Sequence, residues 1–275
     1  MMRTRPTHTS AGVPPIAFSL LLLLGFSQTA LAQDIRQKAW DVLQAGIQDK
    51  SAGERAAAIN ALGLLRNDSK AVDFAEKALE DKEPGVRVAA MTALGQMGSK
   101  TSIPKMKEAA KKETEGAVII AGAHAVLALG DNTAYEVYYA ILTGERKSGD
   151  SLLEAQAKML RDPKKMAQFG FEAGIGFIPY ASAGLGVVKA VNKDDTSPLR
   201  AAAAKNLAAD PDLRSGNALI AAASDKSPLV RAAALDAIAR RGDASLVTAV
   251  EPALSDSKGT VRYTAAAALL RLTTK

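Results

Sequence analysis

The chain of 275 residues contains no cysteine, which excludes disulfides, thiolate metal sites and a lipid-modified N-terminal cysteine. It has two histidines, His8 and His124. One or two imidazoles without thiols cannot build a His-rich metal site. Neither a Gly-x-Ser-x-Gly elbow nor a phosphate-binding Gly-x4-Gly-Lys-Ser/Thr loop occurs, and no Gly-x-Gly-x-x-Gly opens a helix. No catalytic, cofactor-binding or metal-ligating residue can therefore be named, and the sequence-based expectation is a protein that is not an enzyme. Aromatic residues are only 4% of the chain against 48% hydrophobic residues, so the core must be built mainly from Ala, Leu, Val and Ile.

The N-terminus has the composition of a secretory signal. Arg3 and Arg5 supply its positive region, Ile16 to Phe26 its apolar segment, and Ala30-Leu31-Ala32 a small-x-small cleavage pattern. The mature protein is expected to begin near Gln33 and to be exported, periplasmic or secreted. Loss of Arg3 and Arg5 lowers the net charge from +6 to +4, a mild basic bias that does not point to nucleic acid.

What the chain has in abundance is a repeated phrase. In Asp225-Lys226-Ser227-Pro228-Leu229-Val230-Arg231, Pro228 suits a first helical position and Ser227 an N-cap. Leu229, Ala233, Ala234, Ala237 and Ile238 then recur at helical spacing. Arg231 near a helix N-terminus opposes the macrodipole unless an anion lies close, and Asp225 is a candidate. The same six-residue offset recurs at Asp49/Arg55, Asp81/Arg87, Asp194/Arg200 and Asp256/Arg262, with a degenerate copy at Glu113/Ile119. Positions 55, 87 and 119 are 32 apart, and 200, 231 and 262 are 31 apart. A fixed period of this size signals a solenoid.

The run Asp81-x-x-Pro84-x-Val86-Arg87-x-x-Ala90-x-x-Ala93-Leu94 resembles the HEAT repeat, in the short-period form found in phycobilisome lyases. The resemblance covers roughly 46–143 and 197–275. It implies an all-α, right-handed α-solenoid of paired antiparallel helices. It also implies a structural ladder between neighbouring repeats, made by Asp49, Asp81, Asp194, Asp225, Asp256 and their arginines Arg55, Arg87, Arg200, Arg231 and Arg262.

The expected organisation is a signal peptide at 1–32, N-terminal repeats with a capping helix at 33–143, an insertion at 144–196 and C-terminal repeats at 197–275. Between positions 119 and 200 the period breaks. The insertion carries the apolar, glycine-rich run 169–188 with Phe169, Phe171, Phe177 and Tyr180. Those residues, with Tyr135, Tyr138 and Tyr139 on the preceding helix, are the candidate partner-binding side chains, because aromatics carry much interface energy. His124 is expected to be packed, and Lys105, Lys107, Lys111 and Lys112 to form a solvated helix face. The expected function is a non-enzymatic protein–protein interaction scaffold of the cell envelope with unidentified protein partners. The alternatives are peripheral membrane contact through 169–188, or an enzyme accessory resembling bilin lyases.

Overall fold

A computed structural model describes residues 16–143 and 196–274; Phe169, Phe171, Phe177, Tyr180 and Asp194 lie outside them, as does the insertion. Twelve α-helices and no strand occur among the described residues. We number them α1 (Ile16–Ile47), α2 (Ala52–Leu62), α3 (Ser69–Ala78), α4 (Pro84–Met97), α5 (Ile103–Lys112), α6 (Gly116–Ala128) and α7 (Tyr135–Leu142). In the second part of the chain follow α8 (Ser197–Leu207), α9 (Leu213–Ala222), α10 (Pro228–Arg241), α11 (Val247–Val250) and α12 (Gly259–Leu272).

The helices alternate in role. The Arg-bearing helices α8, α10, α12, α2 and α4, followed by α6, stack side by side into one layer, and a second helix from each repeat lies against it. Alanine makes this stacking close. Ala232, Ala233, Ala234 and Ala237 of α10, and Ala265 to Ala268 of α12, are fully buried. At Gly95 of α4 an added Cβ would lie 2.9 Å from Ala125 Cβ of α6, so that crossing has no space for a side chain. Gly98 and Gly242 end α4 and α10 in the left-handed conformation, which costs glycine little.

The order of repeats in space is not their order along the chain. Helix α12, the last, packs on α10 behind it and on both α2 and α1 ahead of it. The array therefore runs from α8/α9 through α10/α11 and α12/α1 to α2/α3, α4/α5 and α6/α7. The capping-helix expectation is corrected here: α1 fills the second-helix place beside α12, enclosed between repeats. An unpaired apolar face on α12 and a lone amphipathic α1 cover each other, and neither alone could bury its surface. Trp40 of α1 continues the second layer onto α3, its ring 6.2 Å from that of Phe74, with the Lys70 ammonium 4.2 Å from the Trp40 ring centroid.

We call α12 with α1 and α2 the seam. Arg36 Nη1 donates to the Leu270 carbonyl at 3.1 Å, satisfying the end of α12, and Arg271 Nη1 donates to the Leu64 carbonyl at 2.8 Å. Helix α1 continues without a break through Ala32, the expected cleavage point. Among the described residues no helix is long and apolar enough to cross a membrane.

Candidate interaction surfaces and the ladder

Each regular rung of the ladder is one arginine used three ways. Arg231 Nη1 donates to the backbone carbonyls of Asp225 and Lys226, at 2.9 and 3.2 Å, in its own repeat. Its Nε and Nη2 donate in parallel to Asp256 of the next repeat, at 2.7 and 2.8 Å. Asp256 also accepts the Lys258 N–H at 2.8 Å, which turns the chain into α12. Arg55 repeats this with Asp49 and Lys50 carbonyls and the Asp81 carboxylate. Arg87 does the same with Glu113, which replaces aspartate in that rung. Arg200 pairs with Asp225. The Asp six residues before an Arg thus serves it with a backbone carbonyl, while its carboxylate serves the arginine of the preceding repeat. Ser227 makes no side-chain cap; the Asp225 carboxylate takes the Ser227 N–H instead.

Two-point guanidinium–carboxylate pairing fixes angle as well as distance, so the rungs set how repeats stack. The Arg55 guanidinium holds Asp81 below its ordinary range despite partial burial. For Asp256 and Glu113 burial is the largest influence and would raise them, but Arg231 and Arg87 with backbone N–H groups hold both below the ordinary range. Arg262 departs from the pattern. It keeps the Asp256 carbonyl at 2.8 Å but reaches Glu54 of α2 at 3.5 Å, while Asp49 is exposed and accepts the Ser51 N–H.

The tyrosines of α7 divide. Tyr138 packs partly buried against the core, whereas Tyr135 and Tyr139, one turn apart, are 48% and 61% exposed. Leu199 and Leu213, at the opposite end of the array, are the other large exposed apolar side chains among the described residues. His124 is exposed on α6, not packed. Position 124 stands five residues after the Arg-equivalent Ile119, where the stacked layer presents a narrow edge to solvent. The α5 lysines are largely ion-paired: Lys105 with Glu76, Lys107 with Asp131 at 2.5 Å, and Lys112 with Glu108 at 2.9 Å. Lys107 and Thr133 together hold Asp131 down at about 2. Among the described residues no cluster of His, Asp and Glu is arranged to hold a metal ion.

Sequence reasoning missed Glu54, Tyr263, Arg36 and Arg271, which join the two parts of the chain. The available signal was a departure from the repeat consensus at two of these positions.

The fold is that of a helical-repeat solenoid. The HEAT repeats family matches residues 40–128 and 184–270, more than half of the chain, and the protein belongs to that family. No curated protein matches the chain. Among solved structures it resembles human deoxyhypusine hydroxylase, at 20% identity over 88% of each chain with a TM-score of 0.31. It also resembles the complex of CpcE and CpcF of phycocyanin lyase from Nostoc sp., at 20% identity over 83% of this chain and 93% of that one, again with a TM-score of 0.31. At this identity the likeness concerns the fold alone. It nevertheless corrects the expectation that the chain is not an enzyme: a hydroxylase and lyase subunits stand among the proteins it resembles, so missing familiar motifs do not separate this chain from enzymes.

Proposed function

We propose that this HEAT array is a protein–protein interaction scaffold that works in the cell envelope after export, and that Tyr135 and Tyr139 are anchor side chains of its binding surface. The observation that carries the reading is the side-by-side exposure of these two rings, at 48% and 61%, in a chain with few aromatics. Two rings at i and i+4 lie on one helix face and offer a large contact area at low conformational cost. Such residues dominate interfaces when a partner covers them. The ladder behind them holds the array rigid, so little ordering is needed on binding.

The test is site-specific photo-crosslinking in the native envelope, with the reactive group placed at Tyr139 or at the exposed control position Lys82. Defined adducts from Tyr139 and none from Lys82 are expected. The Tyr135→Ala/Tyr139→Ala double variant, checked for an unchanged melting temperature, should lose at least about tenfold of the captured partner, in line with two aromatic anchors. Equal labelling from both positions would discard the Tyr surface.

A further inference from the structure

The two departures from the repeat pattern meet each other. At the position before the ladder arginine, five repeats carry an aliphatic residue: Leu199, Val230, Val261, Val86 and, before Ile119, Val118. The exception is Glu54. At the position after it, five carry an aliphatic residue: Ala201, Ala232, Ala56, Val88 and Ile120. The exception is Tyr263. In the folded protein Tyr263 Oη donates to Glu54 Oε2 at 2.6 Å, across 209 residues of sequence and across the seam.

Both exceptions are accommodated by glycines. An added Cβ at Gly46 of α1 would stand 2.4 Å from the Tyr263 ring and 2.8 Å from Ala58, and one at Gly259 of α12 would stand 1.9 Å from Glu54 Oε2. Each unusual side chain thus occupies a notch in the opposite surface. The Tyr263 side of the contact is buried, with Arg262 beside Glu54. At every other described junction between stacked Arg-helices, a two-point or single Arg–carboxylate rung does the joining within one continuous stretch of chain. Only the seam joins parts of the chain that are not consecutive.

We propose that the Glu54–Tyr263 lock, with the Gly46 and Gly259 notches, is a docking interface. By it the unit 196–274 recognises the α1–α2 face of the unit 33–143 as a separate partner would, whether carried by the same chain or by a second copy. Nothing in these contacts depends on the covalent connection, which leaves from α7 at one end of the array and re-enters at α8 at the other. The connection raises the effective concentration of one unit near the other and favours pairing within a chain at low concentration. Pairing between copies uses the same contacts. The lock is independent of the Tyr135–Tyr139 surface.

The test uses the full chain with a specific protease site introduced between residues 144 and 195, cut after folding. The two pieces should elute together at the mass of the intact protein, and two differently tagged cut preparations should exchange pieces on mixing. Tyr263→Phe and Glu54→Gln should each weaken the association of the pieces by about tenfold or more, as loss of a hydrogen bond to a charged group does. The double variant should weaken it no further, because the two changes remove one shared interaction. Arg87→Ala, which lowers stability inside the first unit away from the seam, should leave the affinity of the pieces unchanged. Separation or precipitation of the cut wild-type chain, absence of exchange, or single effects that multiply in the double variant would each overturn the proposal.

Discussion

The junction between α10 and α12 and the junction between α12 and α2 use helices of the same kind, yet they are held in different ways. At the first, Arg231 grips Asp256 at two points, and the two side chains are 15% and 13% exposed. At the second, Arg262 reaches Glu54 at one distance of 3.5 Å, with exposures of 30% and 37%, and the lock between Tyr263 and Glu54 replaces the rung. A rung between consecutive repeats needs only to fix an angle, because the chain already supplies the neighbour. A junction between distant parts of the chain must also choose its neighbour, and unique side chains in matching notches do that.

The largest expected loss follows from packing common to both junctions. Leu269 of α12 is fully buried, and Leu269→Ala should cost about 2–5 kcal/mol, measured by chemical denaturation. A value under about 1 kcal/mol would mean that α12 is not enclosed by α10, α1 and α2. Next comes the regular rung: Arg231→Ala should destabilise by about 1–3 kcal/mol, because it strands a half-buried carboxylate and two carbonyls. An unchanged melting temperature would remove the ladder as a source of stability. Arg262→Ala should cost clearly less, about 1 kcal/mol or below, as a long, partly exposed ion pair contributes little. Equality of the two arginine variants would erase the contrast between junctions.

The same contrast should be visible in pH. Asp81, Asp256 and Glu113 sit below their ordinary values in the folded state, so their contribution is present above the ordinary carboxylate range and is lost as pH falls through it. Tyr263 is pushed up to about 12, first by burial and then by its bond to Glu54. Its contribution is present below pH 10, the ordinary value, and disappears as pH rises from 10 towards 12. Acid should therefore loosen the rungs and alkali the seam. In denaturation curves, Tyr263→Phe should remove the alkaline part of the decline and leave the acid part intact. The smallest effect belongs to the exposed helix pair Lys112–Glu108, where Lys112→Ala should change stability by no more than about 0.5 kcal/mol.

Much of this was legible in the residues. The period of 31 to 32, the Asp and Arg offsets and the alanines of the stacked layer announce a helical-repeat array. The offset alone misleads about who binds whom: Asp225 looks like the counter-ion of Arg231, but a loop that folds back puts the Asp225 carbonyl there and hands its carboxylate to Arg200. His124 reads as a core residue in an alanine-rich helix because one apolar face cannot be told from its edge when nearly every position is small. Tyr135, Tyr138 and Tyr139 read as one cluster, and packing against the core separated Tyr138 from the other two.

Local chemistry along the chain was enough to specify the repeating unit, because caps, turns, helical spacing and the arginine at each helix start act over a few residues. The order in which the units stack was decided only in three dimensions. Every unit presents nearly the same alanine-rich sides, so any could follow any other until α1 covers α12 and Tyr263 finds Glu54, and those meetings depend on surfaces more than 200 residues apart.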